Sequence, residues 1–238
     1  MKVRKQRGTV LSLALAAHPL PSAVTTIVVA GAAALSGRSG PQVALVAATV
    51  LAGQLTVGWV NDLADAERDR AVGREDKPVA LGWVDRGTVS FATSVVVLVL
   101  VPLSIANGTV AGIAHLAAVG SAWMYSWWFK RTVLSWLPYA VSFGLLPAFL
   151  SYGGLGGGMH GAPPTVAITV LAALLGVGVH FLNVLPNLVQ DNQTGTRHLP
   201  LRIALHTGAA KLLWVTTGYT VLVAAGIVVA GVTVGLRQ

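Results

Sequence analysis

The stretch from Asn61 to Asp69 holds four of the eight acidic residues of the whole sequence. Asn61, Asp65 and Asp69 are spaced four residues apart, so on a helix their side chains lie on one face. No Lys or Arg falls between them on that face, and clustered oxygen atoms repel one another unless a cation is present. Mg²⁺ prefers oxygen ligands and is usually held by one or two carboxylates together with substrate phosphates. This spacing therefore indicates a magnesium site.

The loop that follows carries the opposite charge. Arg70, Arg74 and Lys77 come within eight residues of Asp69. A diphosphate needs a metal that bridges its oxygen atoms and cations that balance the remaining charge, so this order of residues suits a diphosphate site. The alternative is a solvated loop whose basic residues only set the membrane topology.

A second polar group closes the sixth apolar run. His180, Asn183, Asn187 and Asp191 share one helical face, and Arg197 follows shortly afterwards. Polar side chains in a spanning helix face the bundle interior or a water-filled cavity, because lipid exposure is costly. We therefore expect Asp191 to face the first motif. The alternatives are hydrogen bonds between helices for the two Asn residues and a packing role for His180.

Aromatic residues gather at the end of the fourth apolar run, just before Lys130 and Arg131. The aromatic residues are Trp123, Tyr125, Trp127 and Trp128. A belt of aromatic rings at the membrane interface is the ordinary interpretation. In the functional interpretation Tyr125 and Lys130 reach phosphate oxygens, while the rings line a pocket for an isoprenoid chain and stabilise a carbocation.

The elements that position these residues are membrane helices. The chain is 54% hydrophobic and 10% charged, whereas soluble domains carry about 25% charged residues. The absence of cysteine excludes disulfides and thiolate metal sites. A net charge of +8 would suit nucleic acid, but the charges follow membrane topology, so we expect no nucleic-acid partner.

Seven stretches have the roughly 20 mostly apolar residues that a membrane span needs. They are residues 9–34, 42–61, 88–106, 109–128, 133–152, 165–188 and 209–235. With the N-terminus inside, the inner segments hold 14 of the 16 Lys and Arg residues and all eight acidic residues. This predicts a multi-pass plasma-membrane protein with its N-terminus and both motifs in the cytoplasm. Prolines inside the spans indicate kinked helices, which are tolerated where helices surround a cavity; the alternative is ordinary packing within the bundle.

The combined pattern resembles the UbiA superfamily of intramembrane prenyltransferases. The first motif resembles the family's Asn-Asp-x-x-Asp-x-x-x-Asp, and the later matches cover the loop, the Tyr…Lys element and the second motif. The matching positions are Asn61, Asp62, Asp65, Asp69, Arg74, Lys77, Pro78, Gly82, Tyr125, Lys130, Asp191, Gly195, Leu199 and Pro200. Two departures stand out. Asn183 and Asn187 occupy positions where the family usually has Asp, and the chain has room for seven helices where the family usually has nine.

The resemblance implies one integral-membrane domain over residues 1–238, an all-α bundle around a central cavity that opens near the cytoplasmic side, with the family's last two helices absent by nature or by truncation. It also implies that two aspartate motifs hold Mg²⁺ and a prenyl diphosphate. The implied metal ligands are Asn61, Asp62, Asp65, Asp69, Asn187 and Asp191. The implied substrate contacts are Asn61, Arg74, Lys77, Lys130, Asn183, Asn187, Arg197 and His180. The implied catalytic residues are Asp65, Asp69, Asp191, Tyr125 and Lys130.

Three functions stay open at this point. The first is a Mg²⁺-dependent prenyltransferase, which moves the isoprenoid chain of a prenyl diphosphate to an aromatic or other acceptor. The second is a UbiA-type terpene cyclase, which needs no acceptor; the Asn residues of the second motif favour it. The third is a membrane scaffold or transporter without catalysis, and the intact first motif opposes it.

Overall fold

The protein is described by a computed structural model that covers residues 8–154 and 162–235, and every regular element in these two ranges is a helix. The all-α prediction is confirmed. The helices are α1 (Thr9–Ala16), α2 (Pro19–Leu35), α3 (Gly40–Ala71), α4 (Arg86–Ala106), α5 (Thr109–Trp127), α6 (Leu137–Ser151), α7 (Val166–Val184), α8 (Leu188–Gln193), α9 (Leu199–Thr207) and α10 (Ala209–Ala230). Short turns of 3₁₀ helix follow α5 and α7, and a π-helical turn follows α10.

The first predicted span, residues 9–34, is a bent pair of helices. The axes of α1 and α2 differ by 59°. The break lies at His18, whose φ of +52° is in the left-handed region. His18 precedes Pro19, and the proline ring disfavours the helical conformation in the residue before it. The bend agrees with the kinks expected at prolines inside the predicted spans, and it brings His18 to the central cavity.

Residues at each end of α3 cap the helix. At the start, the Ser39 backbone N–H donates to Gln42 Oε1 at 2.9 Å, as in a capping box. At the end, Gly73 adopts a φ of +69°, and the Arg74 N–H donates to the Asp69 carbonyl at 2.9 Å. This is the Schellman arrangement, which needs a residue in the left-handed region. The helix therefore carries the whole first motif, and the chain then turns Arg74 back towards it.

The protein is an integral membrane protein, because several helices are long and apolar enough to cross a bilayer. Within the described ranges, four helices meet this test: Gly40–Ala71, Arg86–Ala106, Val166–Gln193 and Ala209–Thr233. Counting the bent pair α1–α2 gives five. A helix stands at each of the seven predicted spans, but α6 has 15 residues and falls short of the usual spanning length. The total of seven spans stays a prediction.

Glycines let the helices that form the site approach closely. A Cβ atom at Gly58 of α3 would lie 2.5 Å from the backbone of Ala17, and one at Gly176 of α7 would lie 2.4 Å from the Tyr139 carbonyl oxygen. Small residues serve this purpose in membrane proteins, where close packing between helices replaces much of the hydrophobic driving force. These contacts hold the α1–α2 bend against α3 and α6 against α7.

Replacing Gly58 with alanine should destabilise the protein by about 1–3 kcal/mol, because the new methyl group overlaps backbone atoms that cannot rotate away. The measurement is thermal unfolding of purified protein in detergent. Gly31→Ala in α2 is the matched control, since a Cβ atom added there would meet no atom within 4 Å and alanine favours helices. Equal melting temperatures for the two variants would contradict the close contact.

Candidate functional site

A cavity of about 390 Å³ lies among α2, α3, α5, α6 and α7. Its charged end is formed by the end of α3, the loop after it, the turn after α5, and α8. Its deeper walls carry apolar and aromatic side chains such as Val57, Phe143 and Val179. Nine of the residues predicted for the site line it: Asn61, Asp65, Arg74, Lys77, Tyr125, Lys130, Asn183, Asn187 and Asp191.

Asp65 is the centre of the charged end. Its side chain is buried, with 4% of its surface exposed, and it accepts a hydrogen bond from Lys130 Nζ. Arg68 Nη2 lies 3.5 Å from the same carboxylate. A buried carboxylate is tolerated when cations compensate its charge. The turn after α5 therefore positions Lys130 as the partner of the first motif.

Arg68 lines the cavity but was missed as a site residue by the sequence interpretation, as were His18 and His198. Its guanidinium contacts carboxylates of both motifs, at 3.3 Å from Asp69 and 3.1 Å from Asp191. The expectation that no Lys or Arg lies on the acidic face was wrong, because the long Arg68 side chain reaches across to it. The spacing of Asp65 and Arg68, three residues apart on a helix, was the signal available in the sequence.

Asp62 and Asp69 belong to the first motif but do not line the cavity. Asp62 Oδ2 accepts from the Val79 N–H at 3.2 Å, and Lys77 Nζ lies 3.3 Å from Asp62 Oδ1. Asp62 thus holds the basic loop against α3. Asp69 Oδ2 is buried and has no hydrogen-bond partner among the described residues.

Lys77 also contacts the bend between the first two helices. Its Nζ lies 2.9 Å from His18 Nε2, and both residues line the cavity. His18 Nε2 is 3.8 Å from Asp62 Oδ1. The left-handed conformation of His18 therefore has a structural consequence, since it brings the imidazole to the loop that carries Lys77.

The second motif is arranged by a break in the helix. After α7 the chain forms a 3₁₀ turn, Leu185–Asn187, which contains Pro186. Asn187 Oδ1 accepts from Arg74 Nη1 at 2.7 Å, and Asn183 Nδ2 donates to the Tyr139 hydroxyl at 2.9 Å. Of the four positions predicted to share a helical face, Asn183, Asn187 and Asp191 line the cavity and His180 does not, while the helix tightens into the 3₁₀ turn at Pro186.

Asp191 follows this turn and faces the first motif, as predicted. Beside its contact with Arg68, its Oδ2 lies 3.0 Å from His198 Nε2. His198 is itself buried and its Nδ1 accepts from the Leu201 N–H at 3.1 Å. That hydrogen bond places the proton on Nε2 when the ring is neutral, so His198 donates to Asp191.

Two predicted substrate contacts lie away from the cavity. His180 is fully buried, shares a 3.0 Å hydrogen bond with Ser135 Oγ and packs against the ring of Tyr139. Arg197 is directed to its own loop, where it donates to Asn192 Oδ1 at 3.2 Å. Trp127 and Trp128 are 51% and 63% exposed, which fits the interfacial belt.

Burial and charge shift the pKa values of Lys130 and Asp76, which line the charged end of the cavity. Burial lowers the pKa of Lys130, and the carboxylate of Asp65 partly offsets this effect. The hydrogen bond from Arg74 lowers the pKa of Asp76 to about 2. Both groups of the Arg74–Asp76 pair therefore stay charged at neutral pH, and the pair holds the Arg74 guanidinium near Asn187.

Metal ligands in this site are few. Within residues 8–154 and 162–235, no three His, Cys, Asp or Glu side chains come together as a metal cluster. The buried Asp69 Oδ2, however, lacks a partner among those residues, and Asp65 next to it is held by two cationic side chains, Lys130 and Arg68. Mg²⁺ commonly takes only one or two carboxylates and completes its shell with water and substrate phosphates. The residues present fit such an ion.

The comparisons with known proteins agree on one fold. The sequence model of the UbiA prenyltransferase family matches residues 22–237, and no curated protein matches significantly. Among solved structures, a UbiA homolog from Archaeoglobus fulgidus bound to GPP and Mg²⁺ is 17% identical, with a TM-score of 0.72 over 91% of this chain and 77% of that one. The same homolog bound to DMAPP and Mg²⁺ is 16% identical, with a TM-score of 0.70 over 90% of this chain and 76% of that one.

A second solved protein is similar as well. A structure of digeranylgeranylglyceryl phosphate synthase in membranes is 15% identical, with a TM-score of 0.62 over 94% of this chain and 78% of that one. At such identities the likeness concerns the fold.

Proposed function

This chain belongs to the UbiA prenyltransferase family, and on that premise we propose that it ionises a prenyl diphosphate with the help of Mg²⁺ and transfers the isoprenoid chain to an acceptor. One observation carries the proposal. The cationic side chains Arg68, Arg74, Lys77 and Lys130 converge with three carboxylates, of Asp65, Asp76 and Asp191, at one end of a cavity whose deeper walls are largely apolar. A prenyl diphosphate has the same division into a charged head and an apolar tail. The A. fulgidus homolog, bound to GPP and Mg²⁺, supports the same substrate class.

The first motif would hold the metal. Asp65 and Asp69 are the carboxylates we assign to it, together with Asn61, whose amide nitrogen lies 3.5 Å from Ser126 Oγ. When bound, Mg²⁺ would neutralise part of the diphosphate charge and so make it a better leaving group. Asp62 acts indirectly, because it fixes the loop that presents Lys77.

The basic residues would bind the diphosphate. Lys130 and Lys77 provide ammonium groups on two sides of the charged end, and Arg74 adds a guanidinium that Asp76 orients. Such charge-assisted contacts strengthen as the leaving group gains charge, so they favour the transition state over the bound substrate. We assign diphosphate binding to these three residues and not to His180 or Arg197.

The aromatic wall would protect the allylic cation. Tyr125 and Tyr139 line the cavity and meet edge to face, with ring centroids 5.0 Å apart. The faces of such rings stabilise positive charge. The hydrogen bond between Asn183 and Tyr139 fixes one ring, which gives this Asn a positioning role.

A terpene cyclase is the second candidate function. The observation that favours it is the same aromatic wall, since an internal cyclisation also needs rings that stabilise a cation and keep water away. In this case Asn183 would orient Tyr139 for cyclisation, and no acceptor would be needed.

The experiment that tests these functions supplies the purified protein in detergent with Mg²⁺ and prenyl diphosphates of several lengths, with and without an aromatic acceptor. Diphosphate release and mass spectrometry of extracted products are measured. We expect a prenylated acceptor and little release without it. A cyclic hydrocarbon or alcohol formed without acceptor would establish the cyclase. No turnover by folded protein under either condition would favour the scaffold or transporter.

The orientation in the membrane is also a proposal. We place the charged end of the cavity and the N-terminus in the cytoplasm, because the positive-inside rule assigns the loops rich in Lys and Arg to that side. A reporter fused before Met1 and reporters in the loop after α3 should both respond as cytoplasmic. A reporter between α2 and α3 should respond as external.

A further inference from the structure

The guanidinium of Arg68 connects the two acidic motifs of the site. It lies 3.1 Å from Asp191 Oδ1, 3.3 Å from Asp69 Oδ1 and 3.5 Å from Asp65 Oδ2. Only 14% of its side chain is exposed. A planar guanidinium can serve several carboxylates at once, which a lysine ammonium does less well. The protein thus supplies its own cation between the motifs.

The second motif has little capacity left for a divalent ion. Asn187 Oδ1 accepts from Arg74, and the amide nitrogen of Asn183 donates to Tyr139. Asp191 is the only carboxylate there, and its two oxygens meet Arg68 and His198. A divalent cation at this motif would have one already shared carboxylate as its charged ligand and a fixed guanidinium as its neighbour.

We propose that Arg68 takes the place of a second divalent cation, so that the diphosphate is held by one metal ion near Asp65 and Asp69 and by the Arg68 guanidinium from the Asp191 side. The inference rests on the proposed function, since it concerns the same diphosphate. A guanidinium suits this role because its parallel N–H groups match phosphate oxygens in pairs. Without a second divalent cation, the second motif needs fewer negative charges, which is consistent with Asn at positions 183 and 187.

The competing explanation is that Arg68 only neutralises the carboxylates while the site is empty, and that metal ions displace it. The two explanations predict different metal counts. If Arg68 is displaced, two ions bind per chain with the diphosphate, and removal of the arginine leaves diphosphate affinity unchanged or improved.

The test counts Mn²⁺ ions by electron paramagnetic resonance on the full chain in detergent, with geranyl thiolodiphosphate as a slowly ionising analogue. We expect one bound Mn²⁺ per chain and no spin coupling between ions. Two bound ions with a coupled spectrum would overturn the inference while leaving the proposed function intact. Failure of the analogue to bind with Mn²⁺ would overturn both.

Variants make the assignment specific to Arg68. Arg68→Gln should weaken analogue binding at least about tenfold, as expected for the loss of a hydrogen bond to a charged group, and should admit a second Mn²⁺. Arg86→Gln is the control, because Arg86 is 57% exposed and has one weak contact, at 3.9 Å, with Glu67. Unchanged analogue affinity in Arg68→Gln would contradict the inference.

Arg68→Lys keeps the positive charge and should keep one bound Mn²⁺ per chain. This variant serves as the test if Arg68→Gln does not fold. Two bound Mn²⁺ ions in Arg68→Lys would then overturn the inference.

Discussion

Asp65→Asn should reduce diphosphate release by at least about 1000-fold, which is the upper range for removing one charged group that stabilises a transition state. Asp65 is the carboxylate of the first motif that both lines the cavity and contacts Lys130 and Arg68. The amide keeps the shape of the side chain but removes the charge that we assign to metal binding. The measurement is release of diphosphate from a prenyl diphosphate under saturating Mg²⁺.

Glu67→Gln is the control for this prediction. Glu67 lies on the same helix two residues away, and its side chain is 89% exposed. The same loss of one carboxylate charge should leave turnover within about twofold, since exposed charges interact weakly. Turnover of Asp65→Asn close to that of the wild type, in protein that melts normally, would refute the role of the first motif.

Lys130→Met should reduce turnover by about 100-fold or more, because the ammonium group both compensates Asp65 and is placed to contact the departing diphosphate. Methionine keeps most of the length and the apolar stem of the side chain. The loss should fall mainly on kcat, with a smaller change in KM, if the ammonium acts on the charge that develops in the transition state. Steady-state kinetics over a range of substrate concentrations separate the two constants.

Arg131→Met provides the matched control. Arg131 is the next residue along the same 3₁₀ turn and is exposed. It does not line the cavity, so its removal should change neither constant appreciably. Equal losses in both variants would mean that the turn, and not the Lys130 ammonium, matters. A melting temperature for each variant shows whether the protein is destabilised when Asp65 keeps only its contact with Arg68.

Local features of the sequence determined much of the fold. Long apolar runs must form helices in a bilayer, because only a helix or a closed barrel satisfies the backbone polar groups there. The caps of α3 are also local, since Ser39, Gln42 and Gly73 act on neighbours a few residues away. The clustering of oxygen side chains at Asn61, Asp65 and Asp69 follows from helical periodicity alone.

The positions of the helix breaks could be predicted from the sequence, but the direction of the chain after each break could not. The pairs His18–Pro19 and Leu185–Pro186 indicate breaks, because proline restricts the residue before it. The sequence does not state how the chain continues after a break. After the first break, the packing of Ala17 on Gly58 sets the direction of the chain. After the second break, the short 3₁₀ turn sets it. Both depend on packing against distant segments.

What only the tertiary structure decided is which cations meet which carboxylates. Asp65 and Lys130 are 65 positions apart, and Arg68 and Asp191 are 123 apart, so no local rule pairs them. Helical periodicity alone placed Arg68 off the face of Asn61, Asp65 and Asp69. Long side chains reach well beyond the face on which their Cα lies. Because α8 approaches α3, the Arg68 guanidinium contacts Asp69 on one side and Asp191 on the other. The sequence by itself determined a membrane-embedded acidic site with basic residues nearby; the packing of the helices determined that the protein's own cations occupy it.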